Sequence, residues 1–215
     1  MTLLNMVVFA TSIVQQQGTP YQLNREVNSL LTRGNNVEAV NMARKAVRAA
    51  GDALGANHPA TAMMLSNLAL AYKLTGSFAQ AESAAKRSLA ILEGAFGSND
   101  VSLSPALNVL AETYAAERRY VEANKMAMRA VAIGPGAEAH FATALHNVAA
   151  VLESEGYYTD AKQYYRKALV ARQAMLPAGH AHTEMTRVAL ARVEHAEQAS
   201  AMKMPARQDV SGLLR

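Results

Sequence analysis

The sequence contains no cysteine, which excludes disulfide bonds, thiol nucleophiles and cysteine-ligated metal sites. It also has no tryptophan and only four phenylalanines among 215 residues. Because large aromatic side chains are so few, alanine, leucine and methionine must fill the hydrophobic core. The hydrophobic fraction of 51% and the charged fraction of 18% are typical of a folded, helix-rich protein and argue against disorder.

Motifs that mark common catalytic and metal-binding sites are also missing. The sequence has no HExxH and no GxSxG, and Gly134-Pro135-Gly136 lacks the lysine and hydroxyl residue of a phosphate-binding loop. His180 and His182 lie two residues apart with Glu184 after them, but this spacing fixes no further ligand, and His180 stands where His58 stands in an earlier turn. We therefore expect no catalytic residue, no metal site and no cofactor.

The charge of the chain is mildly positive, with 21 Lys and Arg against 17 Asp and Glu. Such a balance permits an acidic partner but does not require nucleic acid. Four basic residues recur at one position of successive predicted helices, and acidic residues precede them on the same helices. No aromatic residue alternates with them to stack on bases, so we expect a solvated outer face and no nucleic-acid partner. This basic ladder consists of Lys45, Arg87, Arg129 and Lys167.

The first 20 residues leave two alternatives open. Residues 3–14 are mostly apolar but too few to cross a bilayer as a helix, so no stable membrane span is expected. The run has the length of a signal-peptide apolar region, yet the first basic residue is Arg25. Residues 1–20 are therefore either an export signal or an N-terminal helix docked on the rest of the chain. Localisation is correspondingly open between the cytoplasm and export.

Residues 60–97 contain the pattern that the rest of the chain repeats. Leu65, Leu68, Ala69 and Tyr72 share one face of a helix, and Gly76 is a typical residue just beyond a helix C-terminus. A second amphipathic pattern starts directly after that glycine. Two helices joined by so short a turn must pack antiparallel, which predicts a helical hairpin.

This hairpin recurs along the chain at a nearly fixed period. The second helix carries a small residue at Ala39, Ala81, Ala123 and Ala161, that is, at steps of 42, 42 and 38 residues. Other small and aromatic residues recur in the same register. A fixed period of this size predicts a stacked array of helical hairpins, each of which buries its apolar face against its neighbours.

At these positions the sequence resembles the tetratricopeptide repeat family. The residues that carry the likeness are Leu65, Leu68, Ala69, Tyr72, Ala81, Ala85 and Ser88, although Ala85 replaces an aromatic residue of the family pattern. The longer period and the linker at residues 54–59 look like the kinesin-light-chain type of repeat. The resemblance covers about residues 21–200. It implies an all-α, right-handed α-solenoid with hairpins at about 21–54, 60–97, 103–133 and 138–174, a capping helix at 183–203 and a flexible tail at 204–215.

The resemblance also implies a mode of action. Members of this family line a concave groove with the first helix of each hairpin, so we expect a non-enzymatic scaffold that binds a peptide or protein segment there. Two alternatives stay open: an assembly module that self-associates or joins a larger complex, and an accessory subunit of an enzyme.

The candidate groove residues bracket the apolar stripe of the first helices. Five of them are asparagines, whose amides can both donate to and accept from the backbone of an extended peptide. Asn67 and Asn147 match the asparagine that peptide-binding members of the family use as a clamp, and we expect them to hold such a backbone. The full set is Asn24, Arg25, Asn28, Met63, Ser66, Asn67, Leu70, Lys73, Asn108, Glu112, His146, Asn147 and Glu153.

Overall fold

The computed structural model of the chain describes residues 19–203, apart from the side chain of residue 137. The prediction of an export signal or docking helix at residues 1–20 therefore lies almost wholly outside the described residues. The predicted flexible tail at 204–215 lies outside them as well.

Residues 19–203 form nine α-helices and no strand, so the prediction of an all-α solenoid is confirmed. Two short 3-10 turns, Val101–Leu103 and Pro135–Ala137, precede the first helices of the third and fourth hairpins. The helices are α1 (Pro20–Thr32), α2 (Asn36–Leu54), α3 (Pro59–Leu74), α4 (Phe78–Phe96), α5 (Ser104–Ala116), α6 (Tyr120–Ile133), α7 (Glu138–Ser154), α8 (Tyr158–Met175) and α9 (Ala181–Lys203).

Local sequence signals explain where these helices begin and end. The Nδ1 atom of His58 accepts a hydrogen bond from the Ala60 amide at 3.1 Å and thereby caps α3, which starts with Pro59. His180 accepts similarly from the His182 amide at 3.3 Å, so both histidines serve turns. Gly76 adopts a left-handed φ of 74° just after α3 and allows the chain to reverse into α4.

A completely buried alanine marks the packing of the two helices in every hairpin. Ala39, Ala81, Ala123 and Ala161 each have 0% exposed surface. The small side chain lets the paired helices approach closely, and larger residues pack beside it. A hydrophobic cluster that includes Leu65, Leu92, Leu103, Leu107, Leu110 and Tyr114 continues from the second hairpin into the third and reaches α7 of the fourth.

The first helices of the hairpins line the inner side of the array. Successive first helices α1, α3, α5 and α7 contact one another directly, whereas contacts between successive second helices are few. The array therefore curves with the first helices on its concave side. Tyrosines of these helices also bond to the preceding hairpin: Tyr72 Oη accepts from Arg44 Nε at 2.8 Å, and Tyr114 Oη donates to Glu82 Oε1 at 3.0 Å.

The packing face of α9 differs from the one expected from its sequence. The sequence pattern of this capping helix predicts one apolar side formed by Met185, Val188, Ala189 and Val193, but Met185 and Val188 are 47% and 63% exposed. The helix is rotated so that Thr183 and Thr186 are buried along with Ala189 and Val193. The physical reason lies in α8, where the buried Arg172 needs hydrogen-bond acceptors. The His182 carbonyl and the Thr186 hydroxyl of α9 supply them.

The third hairpin contains a local strain that a single substitution should relieve. Arg118 adopts φ 60° at the turn where Gly34, Gly76 and Gly156 stand in the other hairpins. A left-handed conformation disfavours a residue with a Cβ atom, so we expect Arg118→Gly to raise the free energy of unfolding by about 1 kcal/mol. Chemical denaturation measures this change.

The matched control is Gly76→Arg, which should lower the free energy of unfolding by a similar amount. No atom lies within 4 Å of a Cβ built on Gly76, so backbone strain rather than a clash is being tested. Equal stability of both variants and the unmodified protein would show that these turns carry no strain.

Candidate functional site

The N-terminal part of the concave face is held together by three asparagines. Asn67 Nδ2 on α3 donates to Asn24 Oδ1 at 2.8 Å and to Asn28 Oδ1 at 3.1 Å, both on α1. These amides therefore join the first two hairpins as well as facing the groove. Arg25 and Asn28 are exposed beside them, and Met63 is 58% exposed.

Glu112 on α5 links three hairpins in the middle of the concave face. Its Oε2 forms an ion pair with Lys73 Nζ on α3, and its Oε1 accepts from Asn147 Nδ2 on α7 at 3.2 Å. Both carboxylate oxygens thus have a partner in a neighbouring hairpin. This arrangement fixes the Lys73 and Asn147 side chains in one geometry along the floor of the groove.

Glu153 on α7 forms a polar link to the last two helices of the array. It accepts from Tyr165 Oη on α8 at 2.8 Å and from Nε and Nη2 of Arg192 on α9 at 2.5 and 2.8 Å. Burial alone would raise the pKa of the Glu153 carboxyl, but the hydrogen bonds from Arg192 and Tyr165 outweigh it and lower the pKa. Glu153 therefore stays ionised and ties α9 to the fourth hairpin.

Three of the expected groove residues are buried, although one of them, Asn147, still lines a pocket of the concave face. Ser66, Asn108 and Asn147 are 5%, 4% and 7% exposed. The Ser66 hydroxyl lies 2.8 Å from that of Ser88 on the paired helix, and Asn108 Nδ2 donates to the His140 carbonyl at 2.9 Å. Ser66 and Asn108 occupy equivalent positions, which face adjacent helices. Leu70 is half-buried and packs against the main hydrophobic cluster.

The remaining groove residues converge on one pocket of about 430 Å³ in the C-terminal half of the concave face. Sequence reasoning identified Lys73, Glu112, His146 and Asn147 among its lining residues. It missed Arg172, although Arg172 breaks the repeat pattern of the second helices and could have been noticed for that. The pocket is lined by Lys73, Leu74, Ala111, Glu112, Ala115, Thr143, His146, Asn147, Ala150, Arg172, His182 and Met185.

His146 lies on the wall of this pocket as a neutral side chain. Its ring packs edge-on against Tyr165 with ring centroids 5.0 Å apart, and its Nδ1 is 3.3 Å from Thr186 Oγ1. Burial lowers the pKa of His146 to about 4, and the charges of Arg172 and Arg192 act in the same direction. At neutral pH His146 can therefore offer hydrogen bonds but no charge.

The basic ladder on the outer helices is partly engaged by its own repeats. Arg129 pairs with Glu93 at 2.5 Å and donates to the Ser98 carbonyl at 2.9 Å. Arg87 donates to the Ala56 carbonyl at 3.3 Å, and Lys167 Nζ lies 5.2 Å from the centroid of the Tyr164 ring. The bonds to the Ala56 and Ser98 carbonyls hold two second helices against the linkers between hairpins, whereas the contact of Lys167 with Tyr164 lies within α8.

Two further features of the described chain bear on function. Residues 19–203 contain no group of three or more histidines or carboxylates placed to hold a metal ion. Within the same range, every helix is too short or too polar to span a lipid bilayer.

Comparison with known families agrees with this architecture. A family model described as tetratricopeptide repeat matches residues 23–94 and again 64–135, and a second model of the same description matches 141–182. The chain belongs to the tetratricopeptide repeat family. Members of this family are generally non-catalytic scaffolds for protein–protein interaction, so the fold implies a protein partner. No protein with a curated description matches the sequence.

Several solved structures share the fold of this tetratricopeptide repeat protein. One contains nearly identical repeats of a Podospora anserina protein described as a kinesin light chain, with a TM-score of 0.64, 20% identity, and coverage of 85% of this chain and 88% of that one. BtubC from P. vanneervenii has a TM-score of 0.67 and 20% identity, with coverage of 83% of this chain and 72% of that one. The apo form of RapI has a TM-score of 0.66 and 16% identity, with coverage of 85% of this chain and 65% of that one. The kinesin-light-chain likeness expected from the repeat length is thus confirmed at the level of the fold.

The depressed pKa of His146 predicts how stability depends on pH. The unfolded chain binds a proton near the ordinary value of 6.5, whereas the folded protein binds it only near 4. His146 should therefore reduce the free energy of unfolding as pH falls from 6.5 to 4, by up to about 3 kcal/mol, and contribute nothing above that window. Urea denaturation at several pH values measures this slope.

His146→Gln should remove that part of the slope, because glutamine keeps a polar side chain without a titrating ring. His195→Gln, at an exposed position on α9, is the matched control and should leave the slope unchanged. Identical pH profiles for His146→Gln and the unmodified protein would contradict the burial of a neutral imidazole.

Proposed function

We propose that this protein is a non-enzymatic scaffold that binds a peptide or protein segment on its concave face. The observation that carries the proposal is the pocket formed by α3, α5, α7, α8 and α9. It combines exposed apolar side chains with polar groups that are already held in place. We place the binding groove along this pocket and the adjoining asparagines of α1 and α3.

The rim of the pocket supplies apolar contact surface. Leu74 on α3 is 43% exposed and Met185 on α9 is 47% exposed, and both line the pocket. Between them lies the polar floor formed by Glu112 with Lys73 and Asn147. A few apolar anchors around oriented polar groups are the usual composition of a site that recognises a protein segment.

Asn67 adds a backbone-binding group at the other end of the groove. Its Nδ2 donates to Asn24 and Asn28, and among the described residues none donates to Asn67 Oδ1. That oxygen can therefore accept a peptide N–H. In Asn147 one Nδ2 hydrogen is donated to Glu112, and among the described residues none donates to its Oδ1, so a ligand backbone can meet this amide through its oxygen as well. We thus propose acceptor roles for both amides.

Replacing these asparagines would disturb the stacking of hairpins as well as the binding of a segment, so the two effects could not be separated. The apolar rim allows a cleaner test, because Leu74 and Met185 project from the surface. We expect Leu74→Glu and Met185→Glu each to weaken a groove-binding peptide at least about tenfold, since an acidic group replaces buried apolar contact. Peptides of 12 residues selected from a random display library serve as ligands, and calorimetry measures Kd.

The matched control is Val121→Glu on the outer helix α6, where Val121 is 78% exposed. This variant should keep the affinity of the unmodified protein. Loss of binding in Val121→Glu with retention in both rim variants would place the site on the outer face instead. Size-exclusion chromatography at several concentrations checks the alternative of self-association, for which rim variants would change the molecular mass.

A further inference from the structure

Arg172 on α8 occupies a position that belongs to the hydrophobic core in the first two hairpins. In the register that aligns Ala161 with Ala123, Ala81 and Ala39, Arg172 corresponds to Leu92 and Ala50 of the second and first hairpins. Both of those residues are 0% exposed, and Arg172 itself is only 3% exposed. A guanidinium buried in such a place costs free energy unless it is hydrogen-bonded and paired with an anion.

The contacts of Arg172 satisfy only part of this need. Its Nη1 donates to the His182 carbonyl at 2.7 Å and to the Thr186 hydroxyl, both on α9. Within residues 19–203 no carboxylate forms an ion pair with it. Glu112 is the acidic residue that lines the same pocket, and it is already paired with Lys73. The Arg172 charge is therefore hydrogen-bonded but has no counter-charge of its own.

The charges around the pocket favour a ligand with one negative charge. Lys73 and Glu112 neutralise each other, and burial lowers the pKa of both His146 and His182, which leaves Arg172 as the uncompensated charge. A carboxylate matches the planar guanidinium and its single charge. A phosphate dianion would bring two negative charges and leave one of them unmatched.

We infer that the pocket is a carboxylate-binding site in which Arg172 receives an acidic group of the bound segment. The inference builds on the proposed function, because the carboxylate belongs to the peptide or protein in the groove. It comes either from an Asp or Glu side chain or from a chain terminus. Leu74 and Met185 at the rim contact the neighbouring apolar part of the same segment.

A titration with acetate tests the site without any knowledge of the natural partner. NMR of the unmodified protein follows the Nε–H resonance of Arg172 at constant ionic strength. Acetate should shift this resonance in a saturable way, whereas acetamide, which has the same shape without the charge, should not. Equal shifts with acetamide or chloride, or tighter binding of inorganic phosphate than of acetate, would overturn the inference.

Peptides distinguish the two sources of the carboxylate. One groove-binding peptide is prepared in three forms: with an internal glutamate and an amidated terminus, with glutamine and a free terminus, and with glutamine and an amidated terminus. The form that carries the recognised carboxylate should bind about tenfold to a hundredfold more tightly than the neutral form. Equal affinity of all three forms would contradict a carboxylate site.

Variants at Arg172 show whether that affinity depends on the guanidinium. Arg172→Met should abolish the advantage of the charged peptide, and Arg172→Lys should retain only part of it, because lysine lacks the planar fork. Arg166→Met on the same helix is the control, since Arg166 is exposed and pairs with Glu194. If Arg172→Met does not fold, Arg172→Lys and the acetate titration show whether the affinity depends on the guanidinium.

The outcomes separate this inference from the proposed function. Peptides that bind with equal affinity whatever their charge would support the proposed groove and contradict the carboxylate site. A saturable acetate shift without any peptide binding would support the carboxylate site and contradict the proposed segment-binding groove. Absence of both effects would overturn both proposals.

Discussion

The close packing of two helices against one alanine per hairpin is the constraint on which the rest of the array depends. Ala39, Ala81, Ala123 and Ala161 are completely buried at equivalent positions of the second helices. Each keeps its helix close to the first helix of the same hairpin. Because both helices of a hairpin pack against the first helix of the next one, an error in one spacing would displace the next hairpin as well. The concave groove therefore depends on residues that are themselves completely buried.

Polar contacts between hairpins add a second level of order to this stacking. Glu112 reaches Lys73 in the preceding hairpin and Asn147 in the following one. Asn67 and Glu153 make similar connections near the two ends of the array. The groups proposed to contact a bound segment are thus already positioned by their neighbours. A site held in this way loses less conformational entropy on binding, which favours affinity without a large interface.

The helical array was predictable because its signals are local and repeated. Alanines at a fixed spacing, and turn glycines such as Gly76, report helix packing and helix ends directly. The exposure of individual groove residues was not predictable, since Ser66 and Asn108 are buried by adjacent helices whose orientation the sequence does not encode locally. Arg172 was visible as a break in the repeat, but its pocket is formed by residues from five helices. The rotation of α9 likewise follows from the hydrogen bonds that Arg172 requires.

The dependence of the array on its alanine contacts can be measured directly by equilibrium unfolding of two variants of α6. Ala123→Leu places a larger side chain at a fully buried helix contact, whereas Ala132→Leu adds the same atoms at an exposed position of the same helix. We predict that Ala123→Leu lowers the free energy of unfolding by about 1–3 kcal/mol and that Ala132→Leu changes it by less than about 0.5 kcal/mol. Equal stability of the two variants would contradict the account.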